Sequence, residues 1–365
     1  MKLYLKYITV AVLLFAFTAL QPVLAQDSHE EKVEEEMNVK GLILDHLADS
    51  YEWHMATFGD FHMTIPLPII VKGETSGWHI FMSTKFHHGH EAHEGFYIAP
   101  EGKYKGKIVE KNAAGEEVRP IDISLTKNAT SLIFSSTLLI ILIMSVSRWY
   151  KKQAKAGERK APKGFVGFME MFIMSVQDDI IKPCVGKNYR KFSPYLLTVF
   201  FFIFLNNILG LIPIFPGGAN VTGNIAVTLV LAVATFLTVN FFGTKEYWKE
   251  IFNPYVPSWL KPLMIPIEIV GVFTKPFALM IRLFANILAG HSIVLGLTCL
   301  IFVTANLGTV INSSMTVVSI VLTIFISFVE ILVAYIQAYV FTMLSAVFIG
   351  LAQAEPHHQH VEENH

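Results

Sequence analysis

Hydrophobic positions gather in five long runs over the second part of the chain, residues 131–146, 195–215, 223–242, 266–297 and 317–352. A helix needs about 20 apolar residues to cross the roughly 30 Å hydrocarbon core of a bilayer. The runs therefore predict five membrane-spanning helices, the first of them the shortest. The last two exceed the minimum by half or more, so their helices tilt strongly or project past the bilayer. Between the first two spans, residues 164–181 (GFVGFMEMFIMSVQDDII) predict an amphipathic or interfacial helix.

Ahead of the spans the pattern changes. Lys2 and Lys6 flank the start of an apolar run over 8–20, and Val23-Leu24-Ala25 offers small residues for cleavage before Gln26. This predicts a signal peptide over 1–25, the alternative being an uncleaved first span. Residues 26–127 then read as a polar exported extension, partly ordered and packed on the membrane domain. Its acidic run at 29–36 (HEEKVEEE) is solvated surface. Residues 39–53 predict a helix, and 79–86, 95–99 and 106–110 predict short strands separated by turn residues. A membrane domain over 128–355 and a polar tail over 356–365 complete the organisation. The fold class is an all-α polytopic membrane protein, five transmembrane helices ending in a long C-terminal helical hairpin, preceded by a small exported extension.

Charge orients the spans. Arg148, Lys151, Lys152 and Lys155 close the first span, and Arg159, Lys160, Lys163, Lys187, Arg190 and Lys191 fill the loop before the second. The positive-inside rule makes that loop cytoplasmic, in agreement with an N-terminus sent outward by the signal peptide. Five spans then leave the C-terminus cytoplasmic. Composition adds a mean hydropathy of +0.49, 53% hydrophobic residues and a net charge of -1. These values fit a membrane protein and give no footing for a nucleic-acid partner. No Gly-rich phosphate loop occurs, so the chain itself does not bind ATP. Cys184 and Cys299 lie in a basic loop and an apolar span, poorly suited to a disulfide.

Candidate chemistry concentrates in the fourth span, where Glu268, Lys275, Arg282, Asn286 and His291 interrupt the apolar pattern. A charge at the bilayer centre costs about 3 kcal/mol on insertion scales. A guanidinium cannot release its proton to escape that cost. At 100° per residue, Glu268, Lys275 and Arg282 fall on one helical face, Asn286 stays near it, and His291 points away. Two offset polar stripes suit two aqueous routes that do not join; the other reading is polar residues satisfied inside a helical bundle. In the fifth span Glu330 and Gln337 sit seven apart, on one face. Asn224 and Thr228 near the start of the third span suit a route lining or ordinary helix packing. In the extension, His87, His88, His90 and His93 with Glu94 offer a weak zinc or copper site, a solvated histidine-rich loop, or groups that collect protons.

Three runs carry a family resemblance: IRLFANILAGH over 281–291, FVEILVAYIQAYVFTMLSAVFIG over 328–350 and, more weakly, NNILGLIP over 206–213. Together they resemble subunit a of the F-type ATP synthase membrane sector, over roughly residues 165–354. The resemblance implies a bacterial inner-membrane stator subunit that conducts protons beside a ring of c-subunits. It implies the peripheral-stalk b subunits, the rest of the complex and membrane lipid as further partners. No cofactor and no covalent active site on this chain are implied. Protons would arrive from outside near Asn224, His291 and Glu330, with Gln337 deeper, and leave near Glu268 and Lys275, Arg282 standing between. Many family members carry an acid where His291 stands and a histidine where Glu330 stands. The exchange here suggests that the two side chains meet, as a proton relay or as a polar clamp. A secondary transporter is the rival, but inverted repeats with broken helices are not apparent in the sequence. A membrane scaffold needs no mid-membrane arginine.

Overall fold

The computed structural model describes residues 48–353 apart from 59–60, 74–76, 90, 113–114, 158–160, 213–214, 216 and 255. The expected signal peptide, acidic run and C-terminal tail lie outside the described residues. The chain divides into two compact units. One comprises Met1–Phe134, Leu209–Val221 and Gly290–Val329; the other comprises Ser135–Ile208, Thr222–Ala289 and Glu330–His365.

The first unit holds three small antiparallel sheets. Strands β1 (Glu52–Phe58) and β2 (Phe61–Pro66) form a hairpin. Strands β3 (Pro68–Gly73), β4 (Gly77–Met82) and β8 (Ile121–Asp122) pair in the order β4-β3-β8. Strands β5 (Phe96–Ile98), β6 (Ile108–Lys111) and β7 (Glu117–Val118) make the third sheet. Alternation fixes which face is buried: Ile69 and Val71 on β3 are fully covered and join Tyr51, Phe86, Phe96 and Ile108 in one core. The expected strands at 95–99 and 106–110 correspond to β5 and β6, whereas the one expected over 79–86 is corrected in its second half: β4 ends at Met82, and Ser83–Gly89 winds into a 3₁₀ helix. The helix expected over 39–53 is corrected at its end, because Glu52 and Trp53 open β1, where Trp53 pairs with Ile65. That cross-strand partner is not local, and long-range pairing overrides a local helical pattern.

The sheets lead directly into the first helix, α1 (Lys127–Ala156). The Lys127 amide donates to the Ser50 carbonyl at 2.8 Å, and the Asn128 amide donates to Asp49 Oδ1 at 3.0 Å. The Tyr51 hydroxyl donates to Asp122 Oδ2 at 2.5 Å. Burial, and then the Asp122 carboxylate, push its phenol well above the ordinary tyrosine range. Trp53 meets Phe215 edge-on at 5.0 Å, so the extension packs on the turn that follows the second apolar run.

The apolar runs fold as helices, but the first is corrected: it is 30 residues long, runs ten residues past the expected end at 146, and is not the shortest, which is the 17-residue third. They are α1, α3 (Tyr189–Leu211), α4 (Ile225–Phe241), α6 (Lys261–Val303) and α7 (Thr309–Ala352). The segment expected as an interfacial helix forms α2 (Phe165–Ser175) followed by a π-helical turn over Val176–Ile181. It continues with α3 into one long helical run, Phe165–Leu211. Among the described residues four helices are long and apolar enough to cross a membrane. A fifth span results if α4 and the short α5 (Lys245–Phe252), bent by 100° from it, count as one broken span. Asn224 and Thr244 cap α4 and α5, accepting from the amides of Ala226 and Tyr247. A Thr304–Leu307 3₁₀ turn and Gly308, at φ +99°, link α6 to α7. A conformation that far into positive φ favours glycine.

The core of the second unit is assembled from α1, α2, α3, α6 and α7. Val146, Val176, Ile180, Leu196, Phe200, Leu279, Leu283, Ala338 and Phe341 are all buried there. This packing fixes which face of α6 stays outward.

Candidate functional site

Helix α6 is 43 residues long and places Arg282 at its midpoint, with 21 residues on either side. At 1.5 Å per residue each arm is about 32 Å, as long as the hydrocarbon core is thick. Leu279, Met280, Leu283 and Ile287 turn inward and are buried. Arg282 lies on the opposite, exposed face with Ala278, Ala285, Asn286 and Ala289. Within its own unit Arg282 has no carboxylate partner among the described residues. A permanent cation flanked by alanines presents charge on a surface that another helix can approach closely.

Asn286, one turn beyond Arg282, donates from Nδ2 to Gln337 Oε1 of α7 at 2.7 Å. Gln337 is buried, and its Nε2 has no hydrogen-bond partner. Buried Ala334 and Ala338 beside it let the helices approach. Glu268, Lys275 and Arg282 share one face of α6 at heptad spacing, as expected, without bonding to one another. Lys275 Nζ stands 5.9 Å from the centre of the Phe348 ring. His291 belongs to the first unit, where its Nε2 lies 3.7 Å from the position a Cβ on Gly210 would take. Gly210 thus leaves room for the imidazole. Glu330 is half-buried on α7 in the second unit. Asn224 spends its side-chain oxygen on the Ala226 amide at 3.0 Å, a capping role.

A family of ATP synthase A chains matches residues 132–350, the stretch that holds all of these α6 and α7 residues. The chain belongs to that family. A separate domain of unknown function, DUF8433, matches residues 42–130, an extra N-terminal domain ahead of the A-chain core. The chain is 40% identical over 253 residues to the ATP synthase subunit a of Chloroherpeton thalassium, covering 68% of this chain and 72% of that one. It is 44% identical over 244 residues to an ATP synthase subunit a of Chlorobaculum tepidum, covering 65% and 66%. To the subunit a of an Anaeromyxobacter species it is 37% identical over 270 residues, covering 71% and 61%. This A chain is accordingly a multi-pass, proton-translocating membrane subunit of the ATP synthase complex.

The A-chain core also contains buried polar residues that the sequence reading did not assign. Asn206 and Asn207 on α3 are almost fully buried. Asn206 Oδ1 accepts from Ser135 Oγ of α1 at 2.8 Å, and its Nδ2 donates to the Phe202 carbonyl. Asn207 Oδ1 accepts from Thr222 Oγ1 at 2.7 Å, and its Nδ2 donates to the Ala334 carbonyl of α7 at 3.3 Å. Two adjacent asparagines inside an apolar run were the available signal. Tyr195, Thr235 and Ser345 form a second hydroxyl chain, at 2.9 Å and 3.3 Å.

In the extension, His79 Nδ1 lies 2.5 Å from Glu94 Oε2, His93 Nε2 lies 3.9 Å from Glu94 Oε1, and His87 Nε2 lies 3.6 Å from Glu91 Oε2. His90 and the side chain of His88 are outside the described residues. Among the described residues no group of three or more histidine, cysteine, aspartate or glutamate side chains is arranged for a metal ion. The weak metal candidacy of His87, His88, His90 and His93 gains no support from the described geometry.

Proposed function

We propose that this A chain carries protons through two half-channels that meet the c-subunit ring on either side of Arg282. The observation that supports this most is Arg282 itself, fixed at mid-helix on an exposed alanine face with no carboxylate partner among the described residues of its unit. The bilayer makes such a charge costly, by about 3 kcal/mol, unless a partner answers it. A c-ring carboxylate is that partner. At an effective dielectric near 20, unit charges 4 Å apart attract by about 4 kcal/mol. Arg282 thereby favours the ionised carboxylate, so that a protonated c-subunit arriving beside it gives up its proton to the exit side.

The outer half-channel runs past Asn224, His291 and Glu330 to Gln337, with Asn286 holding Gln337 in place. His291 and Glu330 are the titratable groups of that route. The inner half-channel leaves past Lys275 and Glu268. The extension is exported with the signal peptide 1–25 removed, the C-terminus is cytoplasmic, and the bacterial inner membrane is the site of action. Peripheral-stalk b subunits hold the chain as stator against the ring.

ATP-driven proton pumping in inside-out vesicles tests the reading, with Arg282→Ala compared to wild type at equal complex content. Loss of pumping with assembly intact is expected. Coupled pumping at the wild-type rate overturns the role of Arg282.

A further inference from the structure

On the Glu268 side of Arg282, the end of α4, the start of α5, α6 and the end of α7 line a small, partly open pocket of about 20 Å³. That is room for one water molecule, which needs two to four polar partners to stay. Thr235, Asn240, Tyr247 and Lys275 line it, with Val272 and Pro276. One acceptor there lacks a donor. Asn240 spends its Nδ2 on the Phe236 carbonyl at 2.7 Å, and its Oδ1 is buried with no hydrogen-bond partner. Pro276 has no N–H to give the Val272 carbonyl four residues earlier. Lys275, with its ammonium, and Tyr247, with its hydroxyl, bring donors to the lining. An orphaned buried acceptor is costly in a membrane interior unless something satisfies it.

Position gives the site a purpose. Lys275 lies two turns from Arg282 along α6, about 10 Å, and Glu268 lies two turns further.

We infer that Asn240 and Tyr247 hold a relay water beside Lys275, through which the proton leaves the ring toward Glu268. The inference rests on the half-channel reading above and names residues of its exit side. The water takes up the departing proton on a lone pair and releases a different proton toward Glu268. One O–H bond forms as another breaks, and nothing is oxidised or reduced. Asn240 Oδ1 stays unprotonated and orients the water by accepting its hydrogen bond. Tyr247 donates from its hydroxyl, and the Lys275 ammonium keeps an excess proton from lingering.

The test measures passive proton conduction by the membrane sector in vesicles stripped of the catalytic head, in H2O and D2O. The variants are Asn240→Leu, Asn240→Asp and Tyr247→Phe. Roughly tenfold slower conduction with a larger solvent isotope effect is expected for Asn240→Leu and Tyr247→Phe. Asn240→Asp, which keeps an acceptor, conducts near the wild-type rate. Should Asn240→Leu fail to assemble, Tyr247→Phe, which keeps the ring and loses only the hydroxyl, decides with the isotope effect. Wild-type conduction and isotope effect in Tyr247→Phe overturn the inference. Arg282→Ala assayed for ATP-driven pumping in vesicles that keep the catalytic head separates the two claims: loss of pumping there with an inert Tyr247→Phe leaves the half-channels standing and removes only the relay water.

Discussion

Gly350, near the end of α7, tests the packing that holds the proposed proton path. A Cβ built on it would stand 1.9 Å from the Cys184 carbonyl oxygen and 3.0 Å from the carbonyl carbon. Gly350→Ala therefore forces α7 and the Lys182–Val185 turn apart by about 1 Å, because the obstructing atoms are backbone and cannot rotate away. Overpacking of this kind costs about 1–3 kcal/mol, and 1–2 kcal/mol is a factor of roughly 5–30 in a folding equilibrium. The same displacement strains the bonds of Gln353 to Asn188 Nδ2, at 3.1 Å, and to the Phe242 carbonyl. Gly271→Ala is the control, since nothing lies within 4 Å of its Cβ position. It removes a mid-helix glycine and gains up to about 1 kcal/mol of helix propensity. The assay is the amount of the chain in membranes and the heat-inactivation half-life of the solubilised complex. Gly350→Ala is expected to be scarcer and shorter-lived, and Gly271→Ala to match wild type or exceed it. Equal abundance and half-life for Gly350→Ala would refute the close approach of α7 to Cys184.

Three further outcomes follow from the same structure. Ala285→Leu puts bulk on the exposed face of Arg282 without meeting the core of its own unit, so the chain inserts normally while its co-purification with the c-ring and its pumping fall. Asn207→Leu removes the bonds to Thr222 and Ala334; at about 0.6–1.7 kcal/mol per interhelical bond, the complex loses roughly 1–3 kcal/mol, read as a shortened heat-inactivation half-life. In the extension, the folded chain holds the Tyr51 proton more tightly than the unfolded chain, whose phenol titrates at its ordinary 10.0. That stability is full below pH 10 and is lost as pH rises beyond it. Alkaline melting of the whole chain should show this slope, and Tyr51→Phe should flatten it.

The membrane helices were legible because a bilayer imposes length and apolarity on each span separately. The runs at 195–215 and 223–242 end within a few residues of α3 and α4 except at Tyr189, where a basic, amphipathic turn extends the helix. Arg282 was legible for the same reason, as a charge that cannot be hidden. The small strands were less so. β1 and β2 hold each other through non-local pairs such as Trp53 with Ile65, which no local period announces. Nor could spacing reveal the Asn207–Ala334 bond, or the meeting of Asn240, Tyr247 and Lys275. Asn207 and Ala334, and Tyr247 and Lys275, are far apart in the chain, and packing alone brings each pair to one place.

The central claim, that Arg282 keeps the two proton routes apart, is tested most directly by proton leak with rotation prevented. Vesicles stripped of the catalytic head, with the ring cross-linked to the stator, are given a membrane potential, and proton flux is followed in wild type and Arg282→Ala. The account predicts no flux through the locked wild type and a clear leak through locked Arg282→Ala, because only the fixed charge bars a direct crossing. A locked Arg282→Ala complex as tight as wild type would contradict it.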